Sequence, residues 1–206
     1  MAPVKKSPTR GSVRQSTRGA GAITAHRLPP LDAADWSGTR GSLDGTGLKI
    51  AIACSRFNGN VTDLLLNGAL AELDGHGVKK ADRTVVWVPG AFELPLAASV
   101  AARSGQYDAV ICLGAIIRGE TSHYELIAGE CASGIQRLQL ELTLPVVFGV
   151  LTTEDLAQAL ARAGGAHGNK GAEAAATAIE TVNVLRELER TRPGLFEDAP
   201  AGRKTR

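Results

Sequence analysis

From Leu48 onward the chain alternates short β-branched runs with longer amphipathic stretches, and this rhythm constrains the fold more than any single residue does. Leu48-Lys-Ile-Ala-Ile-Ala-Cys54 reads as a buried strand. Residues 60–76 then place Val61, Leu64, Leu65, Ala69 and Leu73 on one helical face, and Gly75 and Gly77 supply the stop. Thr84-Val-Val-Trp-Val88 is a second strand, and Phe92 to Arg103 a second helix whose first turn tolerates Pro95 because the missing N–H has no partner there anyway. A third strand spans residues 107–117, a helix 122–140 and a fourth strand 145–151. A helix capped by Thr152 or Thr153 runs to about Ala163, and a long last helix covers residues 169–190. Strands joined through helices in this order need right-handed crossovers, which predicts a mostly parallel four-stranded sheet covered on both faces.

With 206 residues, 44% hydrophobic and 21% charged, the chain is long enough for one full core and short for two. The expected division is an extension over 1–47, a body over 48–192 and a flexible tail over 193–206. The extension is rich in Gly, Ser, Thr and Pro, and Lys5, Lys6, Arg10, Arg14, Arg18, His26 and Arg27 meet no acid before Asp32. Such a segment buries too little apolar surface to offset its ordering entropy, so a disordered tail is the first expectation. An organellar transit peptide or an arm for an anionic partner are the alternatives. The chain shows no apolar run long enough to cross a bilayer, and its first residues do not read as a secretory signal, so a cytoplasmic protein is expected. A net charge of +2 gives no reason to expect nucleic acid or membrane as partner. Cys54, Cys112 and Cys131 lack metal-ligand spacing and read as reduced, buried thiols.

In open α/β sheets, ligands bind in the crevice at the carboxyl ends of the strands. Four segments should converge there: Ser55-Arg-Phe-Asn58, Pro89-Gly-Ala-Phe-Glu93, Gly114 to His123, and the region of Phe148. The third, Gly114-Ala-Ile-Ile-Arg-Gly-Glu-Thr-Ser-His-Tyr-Glu125, passes from an apolar run through a polar turn to the start of a helix. Unpaired N–H groups at a helix start attract anions, and His123 supplies a proton carrier beside them. Ser122 with Glu125 fits a capping box, with Thr121 a rival cap.

Each candidate has a plainer reading. Phe57 sits in a polar turn, where its ring either stacks on a planar heterocycle or covers a helix end or a neighbouring subunit. Glu93 could accept hydrogen bonds from ligand hydroxyls, or simply complement a helix dipole. His76 suits a helix stop, with its ring answering the last carbonyls. The Gly-rich loop 163–171, with Arg162 before it and Lys170 within it, is either a phosphate cover or a hinge. It lacks the spacing of a nucleotide-triphosphate loop, because Gly171 stands where a hydroxyl residue is needed after Lys170. Neither metal-ligand spacing nor a dinucleotide fingerprint occurs, so neither metal nor cofactor is expected.

Taken in order, Ser55-Arg-Phe-Asn58, Val88-Pro-Gly-Ala-Phe-Glu-Leu-Pro95, Gly114 to His123, Pro145-Val-Val-Phe-Gly-Val150 and Gly168-Asn-Lys-Gly-Ala-Glu-Ala175 resemble the lumazine synthase family over about Leu48 to Arg190. The resemblance implies a flavodoxin-like three-layer sandwich and the condensation of 5-amino-6-(D-ribitylamino)uracil with 3,4-dihydroxy-2-butanone 4-phosphate, the penultimate step of riboflavin synthesis, without cofactor. It implies that Phe57 stacks on the pyrimidine, that Ala91, Phe92 and Glu93 hold the ribityl chain, and that Ala115, Ile116 and Ile117 line the ring. Phe148 from a neighbouring subunit would complete that pocket. Glu120 and Thr121 would meet the phosphate, joined by the neighbour's Arg162 and Lys170, and His123 would shuttle protons. Pentamers, twelve to a 60-subunit shell, and riboflavin synthase as a partner are also implied.

Overall fold

A computed structural model describes residues 38–194; what is expected of the extension up to residue 37 and of the tail from residue 195 lies outside the described residues. The expected strands are β1 (Ile50–Ser55), β2 (Arg83–Val88), β3 (Ala109–Ile117) and β4 (Val146–Thr153). They form one sheet in the order β2-β1-β3-β4, every pairing parallel. Alternation of side chains assigns the faces. Ile50, Ile52 and Cys54 of β1 with Ile111 and Leu113 of β3 point into one core, while Ala51, Ala53, Val110 and Cys112 point into the other. Both central strands are therefore buried on both sides, which is why they read as unbroken apolar runs.

The first core is closed by α1 (Gly59–Gly75) and α5 (Lys170–Thr191), through Leu65, Leu73, Ala175, Ile179 and Val182. The second is closed by α2 (Leu94–Arg103) and α3 (His123–Leu142), through Leu94, Ala98, Cys131 and Ile135. The result is the three-layer α/β/α sandwich. Its layers approach closely where glycine allows: a Cβ on Gly171 would lie 2.0 Å from the Leu65 carbonyl oxygen, so α1 and α5 touch backbone to backbone there. Residues of the expected extension lie against this body, since the Asn183 amide donates to the Ser42 and Asp44 carbonyls at 2.8 and 2.9 Å.

Several local expectations change. β4 runs on through Thr153, so neither Thr152 nor Thr153 caps α4 (Leu156–Arg162). Asp155 does, accepting the Gln158 N–H at 2.8 Å. The capping box at Ser122 does not form: its side chain makes no cap bond, Glu125 turns to Arg118, and Thr121 Oγ1 takes the His123 N–H at 3.4 Å. His76 meets the Glu72 carboxylate at 3.1 Å rather than the last carbonyls of α1. The loop read as a phosphate cover or a hinge holds a small antiparallel hairpin of β5 (Ala163–Gly165) and β6 (Gly168–Asn169). The helix after it starts where expected, because Asn169 Oδ1 accepts from both Gly171 N and Ala172 N.

Candidate active site

The connection from β1 leads to β2 on one side and that from β3 to β4 on the other, so the sheet order reverses between β1 and β3. A crevice opens at such a point, and here strand lengths widen it. β1 stays in register with β3 only as far as Cys54 opposite Leu113, whereas β3 continues to Ile117 beside β4. Beyond Leu113 the edge of β3 has lost its neighbour, and alternation turns the backbone of Ala115 and Ile117 toward the vacated space. Asn58, with φ 58°, reaches across and donates its side-chain amide to the Ala115 carbonyl at 2.8 Å.

The loop after β1 is also laced to the loop after β2, by Arg56 N–H to the Val88 carbonyl at 2.8 Å and Phe57 N–H to the Pro89 carbonyl at 3.0 Å. These bonds satisfy the backbone and leave the Phe57 ring outside, 70% exposed. No core packing claims it, so of its readings the helix cover loses support within this chain. Ala91, Phe92 and Glu93 form a single 3-10 turn before α2. Glu93 Oε2 accepts the Gly90 N–H at 2.9 Å, which gives the carboxylate a structural duty at the turn. Ala115 and Ile116 are buried, so Ala115 can present its backbone but not its side chain to the crevice.

On the third side stand Glu120, Thr121 and His123, all exposed, in the turn between β3 and α3. Arg118 brackets that turn. Its N–H donates to the Thr153 carbonyl at 2.9 Å, its Nε meets Glu154 at 2.7 Å, its Nη1 pairs with Glu125, and its guanidinium lies 4.1 Å from the Tyr124 ring centre. Hydrogen bonding to Arg118 holds the Glu125 carboxyl below its usual range.

Phe148, Arg162 and Lys170 do not join this crevice. Phe148 is the third residue of the edge strand β4, opposite Cys112 of β3, and with Arg162 and Lys170 it lines a groove along the open edge of β4 between α3 and α5. The convergence expected of four segments thus holds for three. Lys170 is paired with Glu173 at 2.6 and 2.8 Å, while Arg162 donates to the Gln158 carbonyl at 3.0 Å. Among the described residues no carboxylate forms an ion pair with Arg162.

Three contributors received no role from the sequence: Asn58, Arg118 and Glu173. Asn before Gly59 after a strand is a signal for left-handed backbone, and Lys170 with Glu173 has ion-pair spacing on a helix. Arg118 ends an apolar run, and nothing in that run signals that its partners are Tyr124 and Glu125 past the turn and Glu154 just after β4. Among the described residues no cluster of His, Cys, Asp or Glu could hold a metal ion.

The crevice can therefore receive a flat ring beside an open strand edge, with a helix start and an imidazole next to it. The family model described as 6,7-dimethyl-8-ribityllumazine synthase matches residues 47–186, which takes in all of these elements. The chain belongs to the lumazine synthase family, a family of transferases in riboflavin biosynthesis.

Proposed function

We propose that this chain condenses 5-amino-6-(D-ribitylamino)uracil with 3,4-dihydroxy-2-butanone 4-phosphate to give 6,7-dimethyl-8-ribityllumazine, phosphate and water. The observation that carries the reading is the crevice between β1 and β3, with the exposed Phe57 ring on one wall and His123 at the start of α3 on another. The pyrimidine stacks on Phe57 and takes hydrogen bonds from the backbone of Ala115 and Ile117. Ala91, Phe92 and Glu93 hold the ribityl chain, and Glu120 and Thr121 offer donors to the phosphate. An amine of the uracil adds to the ketone and water leaves to form an imine. His123 removes a carbon-bound proton as phosphate departs, and ring closure expels a second water. None of these steps needs a nucleophile from the protein. Holding both reactants in near-attack geometry contributes roughly 7–11 kcal/mol, and one general base adds about 10²–10⁴-fold.

The site is completed by a second copy. The groove on the β4 edge holds Phe148, Arg162 and Lys170 apart from the crevice, which fits their serving the crevice of a neighbour. The surface offers the matching apolar area: Trp87 on β2, Leu96 and Val100 on α2 and Leu126 on α3 are all large and exposed. Pentamers, twelve of them closing a shell, would give every crevice a donor, and riboflavin synthase is the partner that would consume the product. Free, buried cysteines suit the cytoplasm.

The test is lumazine absorbance on mixing the protein with both substrates, against the spontaneous reaction. Acceleration with equal phosphate release, slowed but not abolished by His123→Ala, is the expected result. No acceleration, with lumazine or riboflavin still bound, overturns the reading in favour of a binding protein.

A further inference from the structure

We propose that Arg118 is a positioning residue for the phosphate turn, holding residues 119–122 in the shape that receives the phosphate substrate. The inference rests on the reaction proposed above and deepens it.

The turn has little to hold it from within. Residues 119–122 are exposed, and the bonds made there are long: His123 N–H to Thr121 Oγ1 at 3.4 Å and Leu126 N–H to the Ser122 carbonyl at 3.5 Å. Its two ends are fastened by one residue. Ahead of the turn, Arg118 is fixed to β4 by its N–H on the Thr153 carbonyl and its Nε on Glu154. Past the turn, the same guanidinium pairs with Glu125 and lies over Tyr124, both in the first turn of α3. Closing a short segment at both ends removes most of its freedom before any ligand arrives. The ordering cost then falls on folding rather than on binding.

The same contacts argue against Arg118 as the phosphate's own partner. Two carboxylates face one guanidinium, so the cluster has no surplus positive charge to offer an anion. What the planar fork supplies is geometry: two donors at a fixed angle and a flat face for the ring, which an ammonium cannot reproduce.

Steady-state kinetics of Arg118→Met, Arg118→Lys and Glu154→Gln test the assignment in the full chain. For Arg118→Met the KM for the phosphate substrate should rise roughly ten- to a hundredfold, and inhibition by inorganic phosphate should weaken in parallel. The KM for the aminouracil should stay within about twofold, because Phe57 and the β3 edge are untouched. Arg118→Lys should fall between wild type and Met, and Glu154→Gln, which leaves the Glu125 contact, should shift the phosphate substrate in the same direction by less. Unchanged KM values in Arg118→Met overturn the proposal. So do equal changes for both substrates accompanied by a fallen melting temperature, the mark of a merely structural role. Absence of acceleration by the wild type instead overturns the reaction itself.

Discussion

The Asn58 side chain donates to the Ala115 carbonyl at 2.8 Å and so spans the opening where β1 and β3 part. Its φ of 58° places it in left-handed backbone, which asparagine tolerates better than alanine. Two costs follow from Asn58→Ala, a lost bridge and a strained backbone, together about 1–3 kcal/mol in urea unfolding. Asn58→Gly should remove the strain but not restore the bridge. If bridging is what shapes the crevice, Gly should recover part of the stability while riboflavin quenching stays as weak as in Ala.

At Gly171 the usual direction of a helix substitution should reverse. Replacing glycine by alanine stabilises a helix interior by about 1 kcal/mol, and by less at Gly171, the second residue of α5. Here the added Cβ would lie 2.0 Å from the Leu65 carbonyl oxygen, which is backbone and cannot swing aside. Forcing α1 and α5 apart costs roughly 1–3 kcal/mol, so overlap wins and Gly171→Ala should melt lower than wild type. A higher melting temperature would mean that the helices are not in backbone contact.

The strands and helices were legible because each satisfies one period along the sequence. β1 as far as Cys54 and β3 throughout carry no polar residue since both faces are covered, and Asn169 announces α5 as a cap. What escaped depends on atoms far apart in the chain. Nothing local distinguishes Ser122, which looks like a cap, from Asp155, which is one, because Glu125 is diverted by Arg118. Likewise Phe148 follows the sequence pattern of a crevice residue, yet its register opposite Cys112 holds it in the middle of β4, the strand at the far edge of the sheet. Strand pairing, unlike strand formation, is not written in a single segment.

The Glu125 and Arg118 pair gives the turn an acid limit. The folded carboxyl titrates below its ordinary 4.5, so the folded state binds that proton less tightly than the unfolded chain does. Its stabilising share is therefore complete above the unfolded pKa and is lost as pH falls through the folded one. Melting temperature should decline below about pH 4.5, and Glu125→Gln should decline less steeply. Added salt should shrink the difference, since the pair is exposed. Identical slopes for the two proteins would show that the pair does not form in solution.

All three cysteines should be unreactive in the folded protein. Burial pushes the Cys54 thiol up to about 12 and Cys131 to about 11, and raises Cys112 as well. Since the thiolate is the nucleophile, an aromatic disulfide reagent at pH 8 should find no thiol in the native state and all three after unfolding. Rapid labelling of a native thiol would place it nearer the surface than its burial indicates.

Arg162 and Lys170 line the same groove but should not be equivalent. Lys170 already faces Glu173 at 2.6 Å, so an incoming phosphate must compete with a carboxylate for its ammonium. Arg162 donates to a neutral carbonyl and keeps most of its five donors for an anion. Loss of a charge-assisted contact costs about 1.5–3 kcal/mol, so Arg162→Ala should raise the KM for the phosphate substrate roughly ten- to a hundredfold. Lys170→Ala should raise it less. Glu173→Gln should release Lys170 and lower that KM in a protein that keeps Arg162. Kinetics at one ionic strength, with the aminouracil saturating, separates these outcomes. A larger loss from Lys170→Ala than from Arg162→Ala would mean that Glu173 orients the ammonium toward the phosphate instead of occupying it.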